Sequence, residues 1–166
     1  MKKVFFSMVM AVVALSFVGC GKQSAQSAPT GEYVDLGLPS GTQWRDMNES
    51  NPNNSEFDLF TFDEAYAMFG ESLPGREQWA ELQHECKWEW KGNGSVATGP
   101  NGKSIFFPAD GETDCDGRVT LVGDGGYYWS SEHFASQNSW YLATTDGGVY
   151  IYHTPRCQSL SVRLVK

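Results

Sequence analysis

The sequence is poor in the residues that metal sites and nucleophilic enzymes require. It contains 3 histidines, His84, His133 and His153, which are far apart along the chain. A zinc site needs several His or Cys ligands at short spacing, and these histidines do not provide it. Ser130 and Ser131 have no G-x-S-x-G motif or other nucleophile signature around them. We interpret both serines as strand-end residues that bond to the backbone, and we expect that the protein is not an enzyme.

Basic residues are also few. The chain has 12 Lys and Arg residues against 20 Asp and Glu residues, which gives a formal net charge of −8. This excess of acid argues against nucleic acid and against anionic lipid surfaces as partners. The sequence shows no internal repeat and no heptad pattern, so neither a repeat architecture nor a coiled coil is indicated.

Long apolar runs are absent except at the N-terminus. There an uncharged apolar run, residues 4–18, follows two lysines. It is too short for an ordinary membrane-spanning helix and is typical of a signal peptide. It leads into "SFVGC", which resembles the lipobox of bacterial lipoproteins, in which the cysteine is acylated and the preceding peptide is removed. We expect a signal peptide at 1–19 and a lipid on Cys20, with a plain secretory signal as the alternative.

The stretch that begins with this cysteine is small and polar. Residues 20–31 have almost no apolar surface to bury, so we interpret them as a flexible tether. The remaining residues, 32–166, have a length that suits one domain. Gly21 follows the cysteine where inner-membrane lipoproteins carry Asp, which indicates the outer membrane. The tether also lacks the acidic residues that often mark surface export, so the periplasmic face is favoured over the cell surface.

Two short helices are predicted in the first half of the domain. Thr61 and Glu64 fit a capping box, and this helix should stop at Gly70. A second helix should begin after Gly75. Its inward stripe, at helical spacing, consists of Trp79, Leu82 and Cys86.

The second half is predicted to consist of strands. Residues 94–109 read as a hairpin, and strand-like runs follow at 139–145, 147–154 and 159–165. The sequence Thr145-Asp146-Gly147-Gly148 is a strong turn signal between the first two runs. Helices early and strands late predict one α+β domain, with two short helices packed on an antiparallel β-meander.

Aromatic residues make up 14% of the chain and cluster towards its end. "GYYWSS", residues 126–131, is either a stacking platform for a sugar or peptide or part of the core. We favour the core, with Trp129 and one tyrosine on the inner face. Further on, alternation places Tyr150 and Tyr152 on one face of their strand and His153 on the other. The two tyrosines either extend the core or form an exposed pair.

The cysteines leave one pairing open. Cys86 lies on the helical stripe and is expected to be a small buried hydrophobe. Cys115 and Cys157 lie in polar loops and are the candidate disulfide. Two free thiols at these positions are the alternative.

An acidic loop raises the possibility of calcium. Asp110, Glu112, Asp114 and Asp116 alternate along the chain and precede Gly117, as in the first half of an EF-hand loop. The bidentate Glu that closes such a loop is missing. The candidate ligands are therefore Glu112, Asp114 and Asp116, and a solvated acidic loop is the favoured alternative. No other cofactor is expected.

Five stretches, in this order, resemble one known family. They are "YVDLGLPSGTQW", "LPGREQWAELQHECKWEW", "TGPNGKSIFFPA", "GYYWSS" and "SVRLV", and they span residues 32–166. Together they are similar to the Fibrobacter succinogenes major paralogous domain, common in secreted and lipid-anchored proteins of Bacteroidota. The resemblance implies a C-type-lectin-like fold. Formylglycine-generating relatives need two cysteines near the C-terminus, and only Cys157 lies there, so that activity is not implied.

In C-type-lectin-like folds the ligand surface usually lies on loops and strands of the C-terminal half. By region and residue type, the resemblance points to His133, Asn138, Trp140, Tyr150, Tyr152, His153 and Arg156. The function that these expectations favour is a lipid-anchored, non-enzymatic envelope module that binds a glycan or an envelope protein. The alternative is a structural, adhesion or assembly component without a defined ligand pocket.

Overall fold

The computed structural model of the protein describes residues 28–54 and 56–166. The predicted signal peptide at 1–19, the lipidation at Cys20 and the first part of the tether lie outside these residues. The last tether residues are held against the domain, because Thr30 and Gly31 donate backbone hydrogen bonds of 2.7 and 2.8 Å to the Asp46 carboxylate. Within the described ranges, no helix is long and apolar enough to cross a membrane.

The fold is mixed α+β, mostly antiparallel, with two short helices. The helices are α1, Phe62–Phe69, and α2, Arg76–Glu85. The strands are β1 Tyr33–Asp35, β2 Gln43–Arg45, β3 Phe60–Thr61, β4 Lys87–Trp90, β5 Gly94–Thr98, β6 Ser104–Pro108, β7 Glu112–Thr113, β8 Val119–Thr120, β9 Gly125–Ala135, β10 Asn138–Thr145, β11 Gly148–Pro155 and β12 Ser159–Leu160.

Both helices begin as predicted, and each obtains its N-cap in a different way. At α1, the Thr61 side chain accepts from the Glu64 amide and the Glu64 carboxylate accepts from the Thr61 amide, which confirms the capping box. At α2, Gly75 has no side chain to offer. Glu132 of β9 replaces it and accepts from the Arg76 amide at 2.7 Å.

The central sheet is a three-stranded antiparallel meander in the order β11-β10-β9. The predicted turn joins β10 and β11, since Thr145 and Gly148 are register partners across Asp146-Gly147. The predicted run at 159–165 does not add a strand to the meander, and it meets the sheet in a parallel bridge between Ser161 and Tyr128 of β9. Only Ser159–Leu160 forms a strand there, and it pairs with β3 and β7.

The third strand of the meander is β9, which contains "GYYWSS". This strand continues to Ala135, so Ser130 and Ser131 do not end it, contrary to our expectation. Ser130 is fully buried, and the Ser131 amide donates to the Pro74 carbonyl at 2.9 Å.

The predicted hairpin at 94–109 is confirmed as β5 and β6, with a turn between Thr98 and Ser104. Sequence patterns missed three strands near it. β4 adds a third strand to this hairpin, and β7 and β8 lie inside the loop that was predicted to be irregular. β7 and β8 have two residues each, which is too short for a period-2 pattern to be recognised.

The meander has a core on both of its faces. Tyr128 lies in one hydrophobic cluster with Leu142, against α2, β5 and β6. Trp129 and Tyr127 lie in the other with Ala143, against α1, β3 and β12. "GYYWSS" is therefore core, as favoured, but it supplies both faces, because successive residues of a strand point to opposite sides.

Candidate functional site

The exposed aromatic residues of the meander, Phe134, Tyr150 and Tyr152, lie where the sheet extends beyond these covering elements. Tyr127, Tyr141, Tyr152 and Tyr150 form a row across the three strands, which we call the tyrosine row. Ring centroids are 6.1 Å apart for Tyr127 and Tyr141, 6.4 Å for Tyr141 and Tyr152, and 5.8 Å for Tyr152 and Tyr150. The first of these rings is buried in the core and the last two are exposed.

The two outer rings present a flat face to solvent. Tyr150 and Tyr152 are 40% and 53% exposed, and their rings are within 19° of parallel. The Tyr150 hydroxyl donates to the Gly147 carbonyl at 2.6 Å, which fixes its ring over the hairpin turn. A planar apolar ring with a polar tip is suited to stacking on a sugar or anchoring a protein interface.

The inner part of the row is protonated at neutral pH. Burial raises the pKa of Tyr141 to about 12, with further contributions from the Glu112 carboxylate and from Tyr127 and Tyr152. Burial also raises the pKa of Glu112 itself. The Tyr141 hydroxyl can therefore donate as well as accept a hydrogen bond.

The opposite face of β10 and β11 carries a second group, the Trp140 cluster, formed by Phe134, Trp140, His153, Asn138 and Arg76. His153 stacks on Phe134 with ring centroids 3.7 Å apart. Trp140 meets both rings edge-on, and the Arg76 guanidinium lies 5.0 Å from its centroid. Asn138 Nδ2 lies 3.3 Å from His153 Nδ1. Within this cluster Phe134 is a large exposed apolar ring.

His133 and Arg156 form a third group beside α1. The His133 ring is 4.8 Å from that of Phe62, and the Arg156 guanidinium is 5.0 Å from the same ring. Arg156 also forms an ion pair with Asp63. The Phe62 amide donates to the Arg156 carbonyl at 3.2 Å. These contacts attach the end of β11 to the start of α1.

The predicted site residues thus lie in three groups on two faces of one sheet, and they do not converge on a single pocket. Tyr150 and Tyr152 face one way, Trp140 and His153 face the other, and β11 is common to both sets. Sequence reasoning missed Phe134 and Tyr141, which alternation along β9 and β10 could have indicated. It also missed Arg76, which no sequence pattern connects to a strand 64 positions later.

The structure joins Cys115 and Cys157 in a disulfide, one of the two outcomes that the sequence left open. The bond connects the acidic loop to the segment after β11, next to Arg156. Cys86 is free and buried, and burial, with Glu85 and Glu81 adding to it, raises its thiol pKa to about 11. It is therefore poorly reactive at neutral pH.

The calcium hypothesis is not supported by the geometry. In residues 28–54 and 56–166, no three His, Cys, Asp or Glu side chains, Glu112, Asp114 and Asp116 included, cluster closely enough to hold a metal ion. Asp114 Oδ1 accepts from the backbone amides of Asp116 and Arg118 at 3.0 and 2.9 Å. Its carboxylate therefore stabilises a local turn, while Glu112 is half-buried in β7.

Away from the meander, an open cleft of about 420 Å³ has walls that combine carboxylates with apolar side chains. Burial raises the pKa of Asp110 in this cleft, against the opposing effect of Asn48, which donates to it at 2.9 Å. The fully buried Arg163 in turn donates to Asn48 Oδ1 and to the carbonyls of Arg45 and Phe106. This hydrogen-bonded chain stabilises the cleft wall.

No family model matches the chain significantly, and neither a curated protein nor a solved structure does so.

Proposed function

We propose that this chain is a lipid-anchored, non-enzymatic binding module of the cell envelope that recognises a glycan or an envelope protein through the aromatic residues of its C-terminal half. In this proposal residues 32–166 are a C-type-lectin-like domain of the Fibrobacter succinogenes major paralogous type. The lipid on Cys20 holds it at the outer membrane, on the periplasmic face. The resemblance of five ordered motifs supports the domain assignment, and the lipobox supports the anchor.

The observation that carries the binding role is the exposure of large aromatic rings on a rigid sheet. Tyr150 and Tyr152 extend a continuous row of rings that starts in the core, so ligand binding need not order them first. Pre-ordered aromatic side chains bind with little loss of conformational entropy. On the opposite face Phe134, Trp140 and His153 are held by one another.

The test uses the full-length protein in detergent. It is screened against an array of bacterial glycans and against solubilised envelope extract. We expect a specific ligand whose affinity falls at least tenfold in Trp140→Ala or Tyr152→Ala. Met68→Ala removes an exposed apolar side chain from α1 and should leave binding unchanged. Absence of any ligand, or binding that is equal in all four proteins, would refute the proposal.

The structural or assembly role remains the second candidate. It is favoured by the ion pair, the ring contacts and the disulfide that hold Arg156 and its neighbours together internally. Under this role the protein copurifies with a stoichiometric envelope partner whose contacts do not involve the tyrosine row. Crosslinking in cells followed by variant analysis at Tyr150 and Tyr152 separates the two candidates.

A further inference from the structure

β11 is the edge strand of the meander, since the strand order is β11-β10-β9 and its one strand partner among the described residues is β10. It is eight residues long. The backbone groups on its outer side are therefore available unless another element binds them. α2 and β4 both contact β11, and Gln83 Nε2 of α2 donates to the Val149 carbonyl at 2.5 Å. The remaining edge starts at Ile151.

The register shows which groups point outward. In an antiparallel pair, alternate residues bond to the neighbouring strand and the others direct N–H and C=O away from it. The Arg156 amide donates to the Gln137 carbonyl at 2.9 Å, in continuous register with the paired strands. The backbone groups that bond to the β10 side are therefore those of Tyr150, Tyr152, Thr154 and Arg156. Ile151 and His153 direct their backbone N–H and C=O groups outward, on the same side as the Val149 carbonyl.

This edge lacks the features that normally prevent strand addition. Natural edge strands are protected by charged side chains, by bulges, by proline or by short length. From Gly148 to Thr154 there is no Lys, Arg, Asp or Glu, and the pairing with β10 has no bulge. Within β11 the one proline is Pro155, its last residue.

We infer that the edge from Ile151 to Pro155 binds an extended, neutral or basic segment of a partner polypeptide, which adds to the meander as a fourth strand. Outward N–H and C=O groups that repeat every second residue match another extended backbone, and a glycan has no such repeat. Tyr152 on one face and His153 on the other then contact alternate side chains of the partner. The inference rests on the proposed function and names the partner class of that same surface.

Charge favours a different protein over a second copy of this chain. Each chain carries a net charge of −8, so two copies repel each other. The same charge attracts a basic segment. Because the edge strand itself is uncharged between residues 148 and 154, its own side chains do not oppose a partner of either sign at close range.

The test compares Ile151→Pro with Ile151→Ala in the full-length protein. Both variants lose the same side chain, but only proline removes the outward N–H, and it leaves the bonds to β10 intact. The probe is the peptide acetyl-KTVTVTK-amide, followed by NMR titration. We expect the proline variant to bind it at least tenfold more weakly than the alanine variant. Near-UV circular dichroism checks that both variants fold.

A second measurement on the unmutated protein does not depend on any variant folding. The peptide should slow amide hydrogen exchange at Ile151 and His153, and acetyl-KTVPVTK-amide, which lacks one central donor, should do so less. Equal binding by the two variants, or no protection at these amides, overturns the inference. Concentration-dependent dimerisation through β11 overturns it in favour of a second copy. Glycan binding without peptide binding refutes the inference and leaves the proposed function standing, whereas loss of both refutes both.

Discussion

Tyr128 and Tyr152 belong to the same three-stranded sheet, yet one is fully buried and the other is 53% exposed. The Tyr128 hydroxyl donates to the Pro108 carbonyl at 2.6 Å beneath α2 and β6. Tyr152 lies on the edge strand. On the same face of the sheet, α1 and β12 cover β9, and Tyr152 lies beyond them. Residue type is therefore a poor guide to function in this chain. The elements that cover each part of the sheet decide which aromatic residues can meet a ligand.

Replacing each of these tyrosines by alanine should give the widest separation in stability. Tyr128→Ala removes a fully buried ring and its hydroxyl bond, and should lower the free energy of unfolding by about 3–5 kcal/mol. Tyr152→Ala should change it by about 0.5 kcal/mol or less. Urea denaturation followed by tryptophan fluorescence measures both. A similar loss in the two variants would mean that the edge strand is covered in solution.

Loss of the disulfide between Cys115 and Cys157 should lower the stability of the protein, because this bond ties the acidic loop to the segment after β11. Cys115→Ser combined with Cys157→Ser opens a loop with a sequence separation of 42. Chain entropy predicts a loss of about 2–4 kcal/mol in unfolding free energy. Thermal unfolding with and without dithiothreitol provides the control, since the reductant should lower the melting temperature of the wild-type protein and leave the double variant unchanged. No effect on the wild type would contradict the prediction.

Substitutions at two glycines compare a buried and an exposed part of the meander at the level of the backbone. A Cβ on Gly126 would lie 2.3 Å from the Pro108 carbonyl oxygen, so Gly126→Ala should destabilise the protein by about 1–3 kcal/mol. A Cβ on Gly147, at the exposed hairpin turn, would find its nearest neighbour at 3.6 Å, an ordinary contact. Gly147→Ala should therefore change stability by about 0.5 kcal/mol or less. Chemical denaturation of both variants would show whether the buried strand position at Gly126 is more tightly packed than the exposed turn at Gly147.

The alkaline pH dependence of stability tests the half-buried middle of the tyrosine row. The pKa of Tyr141 is raised to about 12 in the folded state, against an ordinary value of 10.0. The folded state thus holds this proton more tightly, and the associated stability is complete below pH 10 and is lost as the pH rises towards 12. Tyr141→Phe should reduce that loss. Unfolding free energies measured at several alkaline pH values would contradict this if both proteins had the same profile.

Local signals in the sequence were enough for the two helices and for the β5–β6 and β10–β11 hairpins. The Thr61-Glu64 capping box and the Asp146-Gly147 turn act through neighbouring residues, so they could be predicted without the fold. The run at 159–165 is predicted as strand-like, but the short extent of β12 and its pairing with β3 and β7 could not be predicted, because they depend on segments far away in the sequence. The same holds for the last residues of the chain, where Val165 pairs with Trp44.

The candidate site was predictable as a set of residue types and not as an arrangement. Tyr150 and Tyr152 follow from strand alternation. Their separation from Trp140 by the thickness of the sheet depends on the register of β10 and β11, and the position of Arg76 depends on how α2 lies across the sheet. Such placements depend on tertiary contacts that no short window of sequence contains.

The cap that Glu132 provides to α2 has a consequence for the order of folding. Its carboxylate and the Arg76 amide are 56 positions apart in the sequence. A helix of ten residues is marginal on its own. Gln78 accepts from the Gly75 amide locally, but the Arg76 amide receives its side-chain acceptor only after β9 has reached the helix. Closing such a distant contact is slow compared with local helix growth. We therefore expect α2 to become fully protected late, in the same step that completes the meander.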